Sequence, residues 1–172
     1  ISGSVSHEAT AQPYGLALAP FYPGSSGGNG NQTGGGAIRI RATGTVRNCG
    51  TLIADGAKGR GSAGGGSGGG IWITCRRYSD APGAVVSAQG GANDAGQAGG
   101  GGGRICIARG LTDAQVAELA VDGTCSKSET IKGYDLTEDE DLVQSGLKGS
   151  VSAAGGVSTA NPATYPKKDG TE

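Results

Sequence analysis

The stretch GAIRI at residues 36–40 decides the fold, because it recurs as GIWI at 70–73 and as GRICI at 103–107. Each copy follows a run of glycines. The spacing from Ile38 to Ile71 is nearly equal to that from Ile71 to Ile105. A fixed period of about 20–50 residues is typical of stacked repeats, in which one unit cannot bury its own apolar face. The spacing predicts a mostly β fold, a short parallel β-solenoid whose equivalent strands pair in parallel.

A second strand completes each of the first two units. The stretch LIADG at 52–56 aligns with VSAQG at 86–90, at the same shift that separates Ile71 from Ile105. Between these strands lie the glycine tracts 56–70 and 90–103. We expect the tracts to run as extended, polyglycine-II-like turns, since glycine lets chains approach closely and make Cα–H···O contacts.

Alternate residues of a strand point to opposite faces of its sheet. The isoleucines would share the inner face: Ile38, Ile40, Ile71, Ile73, Ile105 and Ile107. The residues between them would lie one above another on the other face: Arg39, Trp72 and Cys106. We expect a cation–π contact of Arg39 with the Trp72 ring.

The composition combines abundant glycine with little charge. The chain has 37 Gly and 6 Pro among 172 residues, and a net charge of −1. Disorder requires a high net charge in addition to few large apolar residues, so the chain is expected to fold. Near neutrality and few aromatic residues also argue against nucleic-acid binding. No apolar run approaches the roughly 18 residues that cross a membrane, so membrane insertion is not expected.

Four segments follow from these patterns. Residues 1–26 form an N-terminal arm, 27–110 the repeat solenoid, 111–147 a helical cap and 148–172 a C-terminal tail. In the arm, Ile1, Gly3 and Val5 belong to an alternating stretch that reads as an edge strand. The arm also carries Phe21 and two tyrosines, which we expect to cover a flank of the glycine-rich body.

Two capping boxes of the form S/T-x-x-E/Q predict short helices in the cap. The first runs from Thr112 to Gln115 and the second from Thr137 to Glu140. The first helix would replace the second strand of a third unit and would cover the open edge of the solenoid. In the tail, GSVS at 149–152 repeats GSVS at 3–6.

The four cysteines lack C-x-x-C spacing, which disfavours zinc and redox sites. An even number of cysteines in a processed chain with a small core favours two disulfides in an oxidising compartment. Three connectivities are open, and sequence neighbourhood favours Cys49–Cys75 with Cys106–Cys125. The start at Ile1 and the absence of Met predict a processed chain whose leader was removed, or a fragment of a longer one. We therefore expect an extracellular or cell-surface location.

The repeat region, residues 34–108, resembles glycine-rich repeat segments of large secreted or surface proteins of environmental bacteria. The resemblance rests on the order GGGAIRI, GTVRNCGTLIADG, GGGIWIT, SAQGG and GGGGRICI. More loosely, the tracts are similar to polyglycine-II bundle domains of adhesins and receptor ectodomains. The resemblance implies a structural extracellular role and carries no catalytic residues.

The sequence contains no catalytic constellation, so we expect no enzyme and no cofactor. His7 has no nearby cysteine or carboxylate pair, and a G-x-G-x-x-G match carries no weight in a chain this rich in glycine. The acidic run Glu138–Asp141 suits a helix N-terminus better than a calcium loop. The repeat arginines would meet the acidic segment 135–141, within the molecule or in the next copy. Asn31 fits an N-glycosylation sequon.

Two functions remain open. The first is a structural subunit of an extracellular filament or surface matrix, a homopolymer that assembles head to tail when the arm strand adds to a neighbour. The second is an adhesin or carbohydrate-binding module of a larger surface protein, with glycans as partners. Its binding surface would be formed by aromatic rings: Tyr14, Phe21, Tyr22, Trp72 and Tyr78.

Overall fold

A computed structural model describes residues 19–28, 32–94, 97–121 and 147–157. Within these ranges the protein is mostly strand, with two small parallel sheets and a single short helix. The elements in chain order are β1 (Ala37–Asn48), β2 (Thr51–Ile53), β3 (Gly70–Asp80), β4 (Val85–Ser87), β5 (Arg104–Ala108), α1 (Asp113–Val121) and β6 (Ser150–Ser152).

The first sheet, sheet A, contains the three repeated strands in the order β1-β3-β5. All its pairs are parallel, and Ile38 lies opposite Ile71, which in turn lies opposite Ile105. The observed register therefore follows the spacing of these isoleucines along the sequence. The prediction that equivalent strands pair in parallel is confirmed.

The second sheet, sheet B, has the order β2-β4-β6 and is also parallel. Leu52 lies opposite Val86, which confirms the alignment of the two second strands. Val151 of β6 lies opposite Val86 on its other side. Each sheet thus contains three strands that occupy equivalent positions in successive sequence units.

Strand β6 corrects the sequence prediction for the third unit. The helix was expected to replace the second strand of that unit, but Ser150–Ser152 occupies the position instead. The separation of Val86 and Val151 along the chain is nearly twice the repeat, because α1 and the chain that follows it lie between β5 and β6. The predicted tail therefore begins with a strand of sheet B. The second predicted helix, after Thr137, lies outside the described residues.

The inner core lies between the two sheets and is built from aliphatic side chains. Ile71, Ile73 and Cys75 of the central strand β3 have no exposed surface. The half-buried isoleucines of the neighbouring strands pack against them: Ile38, Ile40, Ile105 and Ile107. The predicted inner face of sheet A is thus confirmed. Leu52, Val86 and Val151 complete the core from sheet B.

The opposite face of sheet A carries a second, smaller core. Trp72 and Cys106 pack there with Leu111 and Val116, which belong to α1 and the loop before it. Phe21 packs against the same cluster, as expected for a ring that covers a flank. Helix α1 therefore covers a face of sheet A, whereas the sequence predicted that it would cover an open edge. Its N-terminal box is formed as predicted, since the Thr112 amide donates to Oε1 of Gln115 at 2.8 Å.

The glycine tracts form a layer held together by backbone hydrogen bonds. In residues 65–70, successive amides donate in turn to different neighbouring segments, and in two of the three pairs of amides three positions apart both donate to the same segment. Gly65 and Gly68 donate to Ala98 and Gly101, Gly66 and Gly69 donate to Ala57 and Ala54, and Ser67 and Gly70 donate to Ser25 and Gly36. A period of three residues is that of an extended polyproline-II-type chain. Each strand of the layer is thereby bonded to several neighbours at once.

Packing within this glycine layer leaves no room for side chains. A Cβ placed on Gly66 or Gly69 would lie closer than 3.0 Å to backbone atoms of a neighbouring chain. Gly101, by contrast, has no atom within 4 Å of such a Cβ. Glycine is therefore required at the interior positions by close approach of the chains, and not by flexibility.

Candidate assembly edges

The outermost strands of both sheets have an open side within the described ranges. Strands β1 and β2 begin the two sheets, and β5 and β6 end them. Because the sheet order follows the chain order, β1 and β2 are the first strands of the two described sheets and β5 and β6 are the last. An open edge presents unpaired N–H and C=O groups to which another strand can add.

Strand β1 carries features that discourage pairing. Its pairing with β3 is irregular between Ala42 and Thr45. Arg39, Arg41 and Arg47 are exposed along it. Bulges and charged side chains are devices that protect sheet edges from adding strands. The open side of β1 is therefore the less suitable of the edges of the two first strands.

Strand β2 lacks this protection. It is Thr51-Leu52-Ile53, with no charged residue, and the side chain of Ile53 is 58 % exposed. Ile53 lies opposite Ser87, which itself lies opposite Ser152. In this column of opposing residues, Ile53 is apolar, whereas Ser87 and Ser152 are polar. The β2 edge offers both free backbone groups and an apolar contact.

A polar ladder links the successive strands beside this column. The hydroxyl of Ser87 and the amide of Gln89 each donate to Oδ1 of Asp55 at 2.6 Å. The side-chain amide of Gln89 then donates to Oγ of Ser152 at 2.9 Å. These side chains repeat from strand to strand and hold the register of sheet B.

At the other end of sheet B, Asp80 holds the start of β6. The amide of Lys148 donates to Oδ1 of Asp80 at 2.9 Å, and the amide of Gly149 donates to Oδ2 at 2.7 Å. Hydrogen bonds to a carboxylate are stronger than those between neutral groups. Asp80 therefore anchors the start of β6, the first strand after the insertion. Sequence reasoning missed both β6 and this role. The signal was the stretch VSA at 86–88, which recurs at 151–153.

Several predicted site residues lie outside the described residues. They are Ile1, Gly3 and Val5 of the arm, the sequon residue Asn31, Cys125, His7 and the acidic run Glu138–Asp141. The expectations placed on them stay predictions.

The predicted Cys49–Cys75 disulfide is wrong. Both residues carry free thiols, as does Cys106. Cys75 lies opposite Ala42 of β1, seven residues before Cys49, and seven strand residues span roughly 20 Å. A disulfide requires Cα atoms within about 7 Å. A disulfide between Cys75 and Cys106 is also excluded, since the two residues belong to the cores on opposite faces of sheet A.

Burial controls the chemistry of the two interior thiols. Loss of hydration raises the pKa of Cys106 to about 12. Burial likewise raises the pKa of Cys75 and, on the same side of the sheet, that of Tyr78. These groups stay neutral near pH 7, and such thiols are poor nucleophiles. They serve packing and not reactivity.

The aromatic rings do not form a common exposed platform. Trp72 and Tyr78 are buried, at 3 % and 9 % exposure. Phe21 and Tyr22 lie together with ring centroids 4.3 Å apart, and Tyr22 is exposed. The expected contact is present, with the Arg39 guanidinium 4.6 Å from the centre of the Trp72 ring. Tyr14 lies outside the described residues.

No cluster of three or more His, Cys, Asp or Glu residues suited to a metal ion occurs in the described part of the chain. The helix present there is too short to cross a membrane. Comparison of the chain with protein-family models, with curated proteins and with solved structures found no match.

Proposed function

We propose that this chain is a structural subunit of an extracellular filament or surface matrix, in which copies join head to tail through strand addition. The observation that carries the proposal is the matched order of the two parallel sheets, β1-β3-β5 and β2-β4-β6. That order would put one open edge of each sheet at either end of the molecule.

The same order supports a solenoid. A strand of sheet A, a strand of sheet B and a glycine tract would form one turn of about 34 residues, repeated along one axis. The glycine layer would then be a polyglycine-II bundle that completes every turn. In this interpretation the insertion between β5 and β6 enlarges the third turn without interrupting the stack.

The two ends differ in a way that suits open polymers. In a parallel stack, the edge of β1 and β2 is complementary to the edge of β5 and β6 of another copy, but not to itself. Contacts of this head-to-tail kind extend indefinitely when the rotation between copies does not close a ring. The geometry therefore supports filaments over closed dimers.

The N-terminal arm is the proposed connecting strand. Its stretch GSVS at 3–6 has the sequence of GSVS at 149–152, whose last three residues form β6. A segment with this sequence already pairs in parallel with a strand of sheet B, with Val151 opposite Val86. By the same register, an arm strand inserted between β6 of one copy and β2 of the next would place Val5 opposite Leu52, with Ser6 beside the exposed Ile53. Such donor-strand addition derives its affinity from main-chain hydrogen bonds.

The carbohydrate-binding alternative receives less support. Of its five rings, Trp72 and Tyr78 are buried, which removes them as sugar-stacking surfaces. The pair Phe21 and Tyr22 remains, and Phe21 is itself half-buried against the outer cluster. Among the four rings that the structure describes, only that of Tyr22 is exposed, which favours a packing role for the other three.

Deletion of residues 1–12 tests the proposal. We expect the truncated chain to stay folded by circular dichroism and to sediment as a monomer, while the intact chain forms polymers at the same concentration. Deletion of residues 158–172 is the matched control and should leave polymers unchanged. Normal polymers from the first truncation would overturn the donor-arm mechanism. An intact chain that stays monomeric and binds to a glycan array would favour the alternative function.

A further inference from the structure

Sheet A carries an exposed concentration of positive charge on the two strands that α1 contacts, β1 and β3. These strands contain five arginines, and their sole carboxylate is that of Asp80. Arg39 contacts the Trp72 ring. The other four arginines are exposed, and we refer to them as the arginine face: Arg41, Arg47, Arg76 and Arg77. The strands are adjacent, with Thr45 opposite Arg77 and Arg47 opposite Ser79.

This charge is not neutralised within the described part of the chain. The ion pair found there joins Lys58 to Asp94, in the glycine layer. The carboxylate of Asp80 is occupied by the amides of Lys148 and Gly149. Neighbouring guanidinium groups repel one another unless an anion lies near them, and arginine pairs with carboxylates through a bidentate fork. An anionic segment that docks on the arginine face would therefore be favoured by charge complementarity.

The chain itself supplies an acidic segment attached at this face. Residues 122–146 contain seven carboxylates and two lysines, and the densest part is the segment 135–141. On one side this insertion continues from α1, whose preceding loop is bonded to β3 by the amide of Gly110 to the carbonyl of Arg76. On the other side it ends at Leu147, which packs in the inner core just before the Asp80 contacts.

The lengths fit this arrangement. Asp141 precedes Leu147 by six residues, and six extended residues span at most about 20 Å. The acidic segment is thereby tethered within reach of Asp80, the last residue of β3, and of the arginines before it. From these observations we infer that the acidic segment 135–141 docks on the arginine face of its own chain. The contact would neutralise both groups of charges.

This inference does not rest on the proposed filament, because a monomer contains both partners. It predicts a charged contact between two defined peptides. Arg77→Lys preserves the charge at an exposed position and introduces a primary amine. A carbodiimide joins such an amine to a carboxylate only when the two are in contact, and mass spectrometry identifies the joined peptides.

We expect the Arg77→Lys chain to couple the new amine to the peptide that contains 135–141. Arg60→Lys is the matched control, since Arg60 is exposed but lies in the glycine tract between β2 and β3. Its coupling yield to that peptide should be at least about tenfold lower. The yield from Arg77→Lys should also fall severalfold in 1 M salt, where the screening length is about 3 Å. Equal yields from the two variants, or no coupling from Arg77→Lys, would overturn the inference.

An isotope-mixing measurement separates the chain's own segment from that of a second copy. Equal amounts of ¹⁴N and ¹⁵N Arg77→Lys protein are coupled together. Docking within one chain gives products that carry a single isotope throughout. If half of the products carried both isotopes, the inference would be overturned, and the docked segment would come from a neighbouring copy. A variant with Glu138→Gln, Asp139→Asn, Glu140→Gln and Asp141→Asn should lose most of the coupling while the fold, measured by circular dichroism, is retained.

Discussion

The two sheets and the glycine layer are stabilised in opposite ways. At the sheets, buried isoleucines such as Ile71 and Ile73 fill the space between sheet A and sheet B. In the layer, the chains approach so closely that backbone meets backbone, and Gly66 and Gly69 have no room for even a methyl group. The sheets depend on the side chains that are present, and the layer depends on those that are absent.

This difference explains how a chain with few large apolar residues folds. Ordering glycine carries a large entropic cost. The layer offsets it through backbone hydrogen bonds to several neighbours, such as those of Gly68 to Gly101 and of Gly69 to Ala54. Two small apolar cores then suffice, because they are needed only at the faces of the sheets. The comparison predicts that one added carbon in the layer is more damaging than one lost carbon in the core.

The largest effect is expected from Gly69→Ala. Its Cβ would lie within 3.0 Å of backbone atoms of Gly35 and Gly36, which no side-chain rotation relieves. We expect a loss of about 3 kcal/mol or more in the free energy of unfolding, at the upper end of overpacking effects. Urea denaturation followed by circular dichroism measures it.

Gly101→Ala is the matched control for that substitution. No atom lies within 4 Å of the added Cβ, and its φ is not in the left-handed region. We expect a change within about 1 kcal/mol and of either sign, since alanine also restricts the unfolded chain. If the two variants were equally stable, the close packing of the layer would not be a stabilising feature.

A smaller effect is expected from Asp80→Ala, which removes the acceptors of two amide hydrogen bonds at the start of β6. Bonds to charged groups contribute about 1.5–3 kcal/mol each when buried, and these are partly exposed, so we expect a loss of about 2 kcal/mol in all. Amide exchange should accelerate most at Val151 and Ser152. Unchanged exchange in β6 would show that Asp80 does not hold this strand in sheet B.

The smallest effect is expected from Ile73→Val, which removes one methylene from the fully buried centre of sheet A. Such substitutions cost about 0.5–1.5 kcal/mol. Thermal or urea denaturation of the Ile73→Val and Gly69→Ala variants compares the free energy lost when one carbon is removed with that lost when one carbon is added. A greater loss for Ile73→Val than for Gly69→Ala would reverse the contrast between the two regions.

Sheet A was predictable because its signal is local and repeated. The glycine runs before Ile38, Ile71 and Ile105 mark equivalent strands, and a constant spacing leaves few registers. The alternation along each strand then separates the inner isoleucines from Arg39, Trp72 and Cys106. The start of α1 was predictable from its capping box.

The wrong predictions concern the third unit and the cysteines, whose positions in the fold are not determined by the spacing of the repeats. The insertion before β6 breaks the period, so the equivalence of Val151 with Val86 is hidden from a search at constant shift. The number of cysteines says nothing of the face on which each lies, and Cys75 and Cys106 lie on opposite faces of sheet A. For the candidate site, the sequence suggested an adding strand but not its acceptor. The exposed Ile53 beside an unprotected β2 edge emerges only from the pairing.

Electron cryomicroscopy of the intact chain over a concentration series tests the central claim most directly. Head-to-tail stacking of parallel strands predicts filaments whose averaged transform has a layer line at about 4.8 Å along the axis, the spacing of neighbouring strands. Single particles of monomer mass at every concentration, or filaments without that layer line, would contradict it.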